Sequence, residues 1–160
     1  MRRQRQTRRA ALTVEAAIVL PAMLILLLGL IVGGMGVFRY QQVACQAREA
    51  ARWASVRGTQ WELETGNTSP TEQEILQNAV LPLAVGMDPA NITMQVEWIN
   101  AATGSVVAWD SAKKAPRSLN KTSQPVTNSV RVRINYDWTP GVILPGTFNM
   151  SSTSVMPMSF

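Results

Sequence analysis

Between Ala16 and Phe38 the chain runs for 23 residues without a charged side chain, built mainly from Leu, Ile, Val, Ala and Gly. As a helix with a rise of 1.5 Å per residue it reaches roughly 34 Å, enough to cross a hydrocarbon core about 30 Å thick. A helix in a soluble fold buries one stripe and wets the rest; one that is apolar on every face over this length belongs in lipid. The run therefore predicts a single transmembrane helix at 16–38. A cleavable signal peptide is the competing reading, but its apolar core is shorter and a small-residue cleavage site comes after it. Here an Arg-containing helical stretch comes instead. Thr7-Arg8-Arg9 with Leu12 matches a twin-arginine signal over only its two arginines.

Charge sets the orientation. Arg2, Arg3, Arg5, Arg8 and Arg9 precede the run, and basic flanks stay in the cytoplasm. Residues 1–15 then form a basic cytoplasmic leader, and the C-terminal part lies outside, in a single-pass membrane protein. Phe38, Tyr40 and Trp53 fall beyond the far end, where aromatic rings favour the interface. The net charge of +5 is misleading as a pointer to nucleic acid. Residues 1–57 hold nine arginines against Glu15 and Glu49, whereas 58–160 hold eight acids against six bases. The body is slightly acidic, so no nucleic-acid partner is expected.

Glu15 stands at the mouth of the span, in Leu12-Thr13-Val14-Glu15-Ala16-Ala17-Ile18-Val19-Leu20-Pro21. A carboxylate entering lipid costs several kcal/mol unless it is protonated, snorkels or meets a cation. One reading is a headgroup-boundary residue beside Arg8 and Arg9; the other is an assembly determinant. Gly29 and Gly33 have the spacing that lets membrane helices approach closely, although glycine is also simply common in such helices. Pro21 is expected to kink the first turns.

The order of these parts resembles the TadE-like family, the pseudopilins of tight-adherence pilus systems. The segments that carry it are Arg9-Ala10-Ala11-Leu12-Thr13-Val14-Glu15-Ala16, Pro21, and Ala47-Arg48-Glu49-Ala50-Ala51-Arg52. Together they span roughly Arg8 to Arg57. The resemblance implies cytoplasmic-side cleavage by a prepilin peptidase between Ala10 and Ala11, which makes Glu15 the fifth residue of the mature chain. It also implies membrane-helix packing against other pilin-like subunits and the pilus assembly machinery. The sequence departs from the family pattern at Ala10, where glycine is usual, and at Ala16, where many members carry Phe.

Beyond the span, Phe38–Arg57 lacks Gly and Pro and extends the helix outside the membrane as 39–57. Val43, Ala47, Ala50, Ala51 and Ala54 form a small-residue stripe suited to docking on the body or on another subunit. Residues 58–160 read as a small extracytoplasmic domain, so the fold class is α+β: a long N-terminal helix followed by a small, mainly antiparallel β domain with one short helix. Gly58–Ser69 reads as a linker, and Ser69-Pro70-Thr71-Glu72 as a capping box. Ile75, Leu76, Ala79, Val80 and Leu83 then form a core stripe ended by Pro82. Ile92, Met94, Val96 and Trp98 alternate with polar residues as a strand, with Gly104–Trp109 returning as a hairpin partner. Ser111–Ser129 reads as a mobile basic loop, Val130–Trp138 as the clearest strand, Pro140–Gly146 as a turn and Thr147–Met158 as a last strand.

The chemistry available is limited. With no histidine there is no His-based triad or His-ligated metal, and Cys45, alone, closes no disulfide. No GxSxG, phosphate-binding glycine loop or HExxH is present. The expectation is no catalytic site, no cofactor, no metal and no small-molecule substrate. Asp88, Asp110 and Asp137 lie at turns or strand ends, where capping explains them. A pilus subunit is the leading function. An anchored binding or scaffold protein is the alternative, and a membrane-tethered enzyme a distant third.

Overall fold

The computed structural model describes residues 2–141 and 146–159, with side chains from Thr13 onward. The chain divides into two compact units, one of residues 1–38 with 140–145, the other of residues 39–139 with 146–160. The first contains most of helix α1, which spans Arg2–Ser55 and runs through Pro21. The turn expected at Pro140–Gly146 falls largely outside the described residues.

In the second unit a four-stranded antiparallel sheet has the order β2-β1-β5-β6, from Val106–Ala108, Ile92–Ile99, Ser129–Trp138 and Phe148–Pro157. Register obeys the period of two: Ile92 faces Tyr136, Val96 faces Val132 and Trp98 faces Val130. The alternating set Ile92, Val96, Trp98, Val130, Val132, Ile134 and Tyr136 is buried. On the other side of that core lie Val43, Ala47, Ala50, Ala51 and Ala54 of α1, all fully buried. The small-residue stripe therefore docks on its own body, and its alanines allow the helix backbone to come close to the sheet. Trp109 fills the core completely, and its indole N–H donates to the Pro70 carbonyl at 2.7 Å.

Several local expectations are corrected. Helix α1 ends at Ser55 rather than Arg57; Ser55 Oγ donates to the Arg52 carbonyl, and Arg57 Nη1 donates to the Trp53 carbonyl. The Arg57 guanidinium also lies 4.0 Å above the Trp53 ring. Trp53 is partly buried and packs against the core.

Gly58–Ser69 is not simply a linker, because Thr59–Thr65 forms helix α2. Gly66 closes α2 at φ +72 with its N–H on the Glu62 carbonyl, a left-handed cap that glycine adopts without strain. The capping box lies two residues later than expected: Thr71 caps helix α3 (Glu72–Ile75) and Glu74 reciprocates. Pro82 shapes the end of this helical stretch. It cannot donate a backbone bond, and the chain widens through Leu76–Val80 into a π-turn, with Leu81 N–H on the Leu76 carbonyl. Ile75, Ala79 and Val80 are buried as expected, but Leu83 is exposed.

Ser111–Ser129 is not a loop throughout: Arg117–Leu119 (β3) pairs with Pro125–Thr127 (β4) as a second small sheet. Asn120 builds its turn, accepting from the N–H groups of Thr122 and Gln124. Asn128, fully buried, secures the base by accepting from Ala101 N–H and donating to the Ala115 carbonyl and Ser118 Oγ.

Candidate functional site

The apolar part of α1 is the candidate span, in a helix long and apolar enough to cross a membrane by length and composition. Apart from Val32, which is buried, its large Leu, Ile and Val side chains are exposed among the described residues; Ile25, for example, is 72% exposed. In water such a surface would be costly, at about 25 cal/mol per Å² of exposed apolar area. Lipid removes that penalty. Among the described residues, a Cβ added at Gly29 or Gly33 would meet nothing within 4 Å, which leaves room for another helix to approach there. Pro21 and Glu15 are likewise exposed. Ala10, Ala11 and the five leader arginines, Arg2, Arg3, Arg5, Arg8 and Arg9, lie outside the residues whose side chains are described.

Just after the apolar run, a clamp was missed from sequence. Arg39, the first charge after the run, donates from Nη1 to Gln42 Oε1 at 2.7 Å and to the Val85 carbonyl at 2.8 Å. Gln42 Nε2 is a second donor to the same carbonyl, at 3.2 Å. Gly86 is required beside it. Its φ is +68, and a Cβ there would come within 3.0 Å of Arg39 Nη2. The available signal was the pairing of an isolated Arg after an apolar run with a distant Val-Gly in an uncharged stretch, but partners 46 positions apart cannot be matched by pattern alone.

The acids of the body are occupied as caps and struts. Asp88 accepts from Ala90 N–H, Asp110 from Glu72 N–H at the start of α3, and Asp137 from Asn149 Nδ2. Glu72 Oε1 accepts from Val96 N–H on the part of β1 that β2 does not reach. Burial pushes the Glu72 carboxyl above its ordinary range, opposed by that bond and reinforced by the charge of Asp110. Glu62 moves the other way, because the Ser69 N–H bonds its carboxylate at 2.7 Å. No cluster of three or more metal-binding side chains occurs among the described residues.

Fold and site together define a class: one helix able to span a bilayer, continuing into a small α+β unit. Residues 10–52 match the family model described as TadE-like protein, so this segment of the chain is similar to that family. The match covers about a quarter of the sequence and takes in the Val14-Glu15 entry, the whole apolar run and the Ala47–Arg52 stretch. The family is a structural one, associated with pili. Comparison with curated proteins gave no match, and comparison with solved structures gave none.

Proposed function

We propose that the protein is a single-pass subunit of a tight-adherence pilus apparatus in the bacterial cytoplasmic membrane, leader arginines inside and sheet domain outside. The observation that carries this reading is the coincidence of the TadE-like match with the span and the docked stripe of α1. Its mechanism is lateral packing of membrane helices along the open Gly29 and Gly33 face, with other pilin-like subunits as partners. A prepilin peptidase cuts between Ala10 and Ala11, creating a new amine at the membrane edge. Glu15 of one subunit then neutralises that amine on its neighbour and fixes the register. At low dielectric such a pair is far stronger than in water.

The N-terminal residue and intact mass of protein purified from membranes test this directly. A chain starting at Ala11 supports processing, and Glu15→Gln should then abolish assembly while leaving membrane insertion intact. A chain starting at Met1 removes the amine and with it the role of Glu15. One starting after Gly36 removes the anchor altogether. A second reading, an anchored scaffold with Glu15 as a boundary residue, is favoured by one observation: the match stops at Arg52, before any strand of the sheet.

A further inference from the structure

The two ends of the sheet unit differ in chemistry. At the end bounded by Ile99, Ser129 and Pro157, the chain turns through Asn100–Gly104 and the Asn120–Gln124 hairpin, where amides and hydroxyls hold the backbone. At the opposite end Ile92 pairs with Tyr136, and Trp138 pairs with Phe148. The Trp138 and Phe148 rings are 6.1 Å apart, and Phe148 is half exposed. β1 is entered at this end through Asp88 and the Pro89–Asn91 turn, which follow Ile75–Met87, thirteen residues without a charge. Val85 is that segment's outermost large side chain, 74% exposed.

The clamp lies within this unit and joins its first residue, Arg39, to the Val85 carbonyl. Arg39 is the residue directly after the apolar run, so Val85 lies within one side chain's reach of that residue. Two donors satisfy the carbonyl, from Arg39 and Gln42, which lets the backbone approach a poorly hydrated layer. Tyr40, exposed and one residue further along, adds an aromatic ring. Aromatic rings and aliphatic tips gathered beside a guanidinium, directly after a lipid-spanning run, are the chemistry of a bilayer interface.

We propose that this end of the sheet unit, with Tyr40, Leu83, Val85, Trp138 and Phe148 as its rim, rests in the headgroup layer of the outer leaflet. The inference rests on reading Ala16–Phe38 as a span. Its consequence is that the polar Asn100 and Asn120 turns, at the other end of the unit, stay in water.

The test uses the full chain carrying Cys45→Ser and one new cysteine, Val85→Cys, Leu119→Cys or Leu24→Cys, labelled with a polarity-sensitive fluorophore. Each is reconstituted in phosphatidylcholine–phosphatidylglycerol vesicles and quenched by spin-labelled lipid or by aqueous iodide. Leu119 is the matched control: it is 68% exposed, similar to Val85, but lies in the Asn120 hairpin. Neither substitution opens the core. The expected result is quenching by shallow spin-labelled lipid several-fold greater at 85 than at 119, with iodide ranking them in the reverse order. Position 85 behaving like 119, while 24 is quenched by lipid, overturns the rim and leaves the span intact. Shielding of 85 from both quenchers overturns it in favour of a second copy covering the patch. A probe at 24 that lipid cannot quench removes the span, and the rim falls with it.

Discussion

Two stretches of the same helix obey opposite rules. From Ile18 to Ile31 the large side chains of α1 are exposed, with Leu and Ile on every face. From Val43 to Ala54 the exposed side is polar and one narrow stripe is fully buried. Both are helical, but for different reasons. The first is long and apolar enough to cross a bilayer, where every backbone group must bond within the segment, so such a helix needs no partner. In the second, the helix is held by packing of small residues on a sheet, as most helices in water are. The difference teaches that a helix's apolar content says where it lives, and the width of its apolar stripe says against what.

One substitution in each stretch should break this comparison most clearly. Ala50→Arg places a cation where no partner exists in a packed core, and should cost the sheet unit more than about 4 kcal/mol. Loss of the cooperative near-ultraviolet circular dichroism transition in detergent would register it. Leu24→Arg should leave that transition unmoved. Its cost, about 2.5–3.5 kcal/mol, falls on membrane insertion instead and shows as a lower membrane-integrated fraction in carbonate extraction. If Leu24→Arg destabilised the sheet unit as much as Ala50→Arg does, the two stretches would not be the separate regimes described.

A smaller effect sharpens the packed stretch. Gln46 is fully buried in the same stripe; its Nε2 reaches Met87 Sδ at 3.4 Å, but its Oε1 has no hydrogen-bond partner among the described residues. An unsatisfied buried acceptor costs about 1–3 kcal/mol. Gln46→Met keeps the length and removes that acceptor, so it should stabilise by about 1 kcal/mol after repacking. The midpoint of thermal unfolding should rise by about 4–8 °C for a unit of this size. A fall in the midpoint would mean that Oε1 is paired in solution and that the stripe is more polar than its alanines suggest.

The range of each signal decides how much was legible in the sequence. The span was clear because a charge-free run needs no partner to be recognised. Strands β1 and β5 were clear because both alternate with period two, and the return of β2 and the last strand β6 came with them. Helix α2 was missed although Gly66 marked its end, because seven residues between two glycines carry little periodicity. The β3–β4 hairpin was missed because its order comes from Asn120 and Asn128, whose amides work through backbone groups that pattern cannot pair. At the candidate site, Glu15, Gly29 and Gly33 could be named as local features. The Arg39–Val85 clamp could not, since it joins two segments only after the body has folded.

The smallest expected effect concerns acid. Nothing titrates between Ala16 and Phe38, so the pH dependence of unfolding belongs to the packed side of the comparison. There, two glutamates pull in opposite directions. Glu62 is held below its ordinary range by the Ser69 N–H; it stabilises above the unfolded value of about 4.3, and this is lost as pH falls through its lower folded value. Glu72 is raised by burial, with Asp110 adding repulsion; its contribution is fullest below that unfolded value and is lost as pH rises through its higher folded value. Glu72→Gln keeps an acceptor for Val96 N–H and should be more stable than the parent at neutral pH, the gain vanishing on acidification. Glu62→Gln should be less stable at neutral pH and converge with the parent in acid. Unfolding midpoints measured from neutral to acid pH on the three proteins decide the matter: shifts of the same sign at neutral pH would mean that the two carboxyls sense a shared field instead of their own local partners.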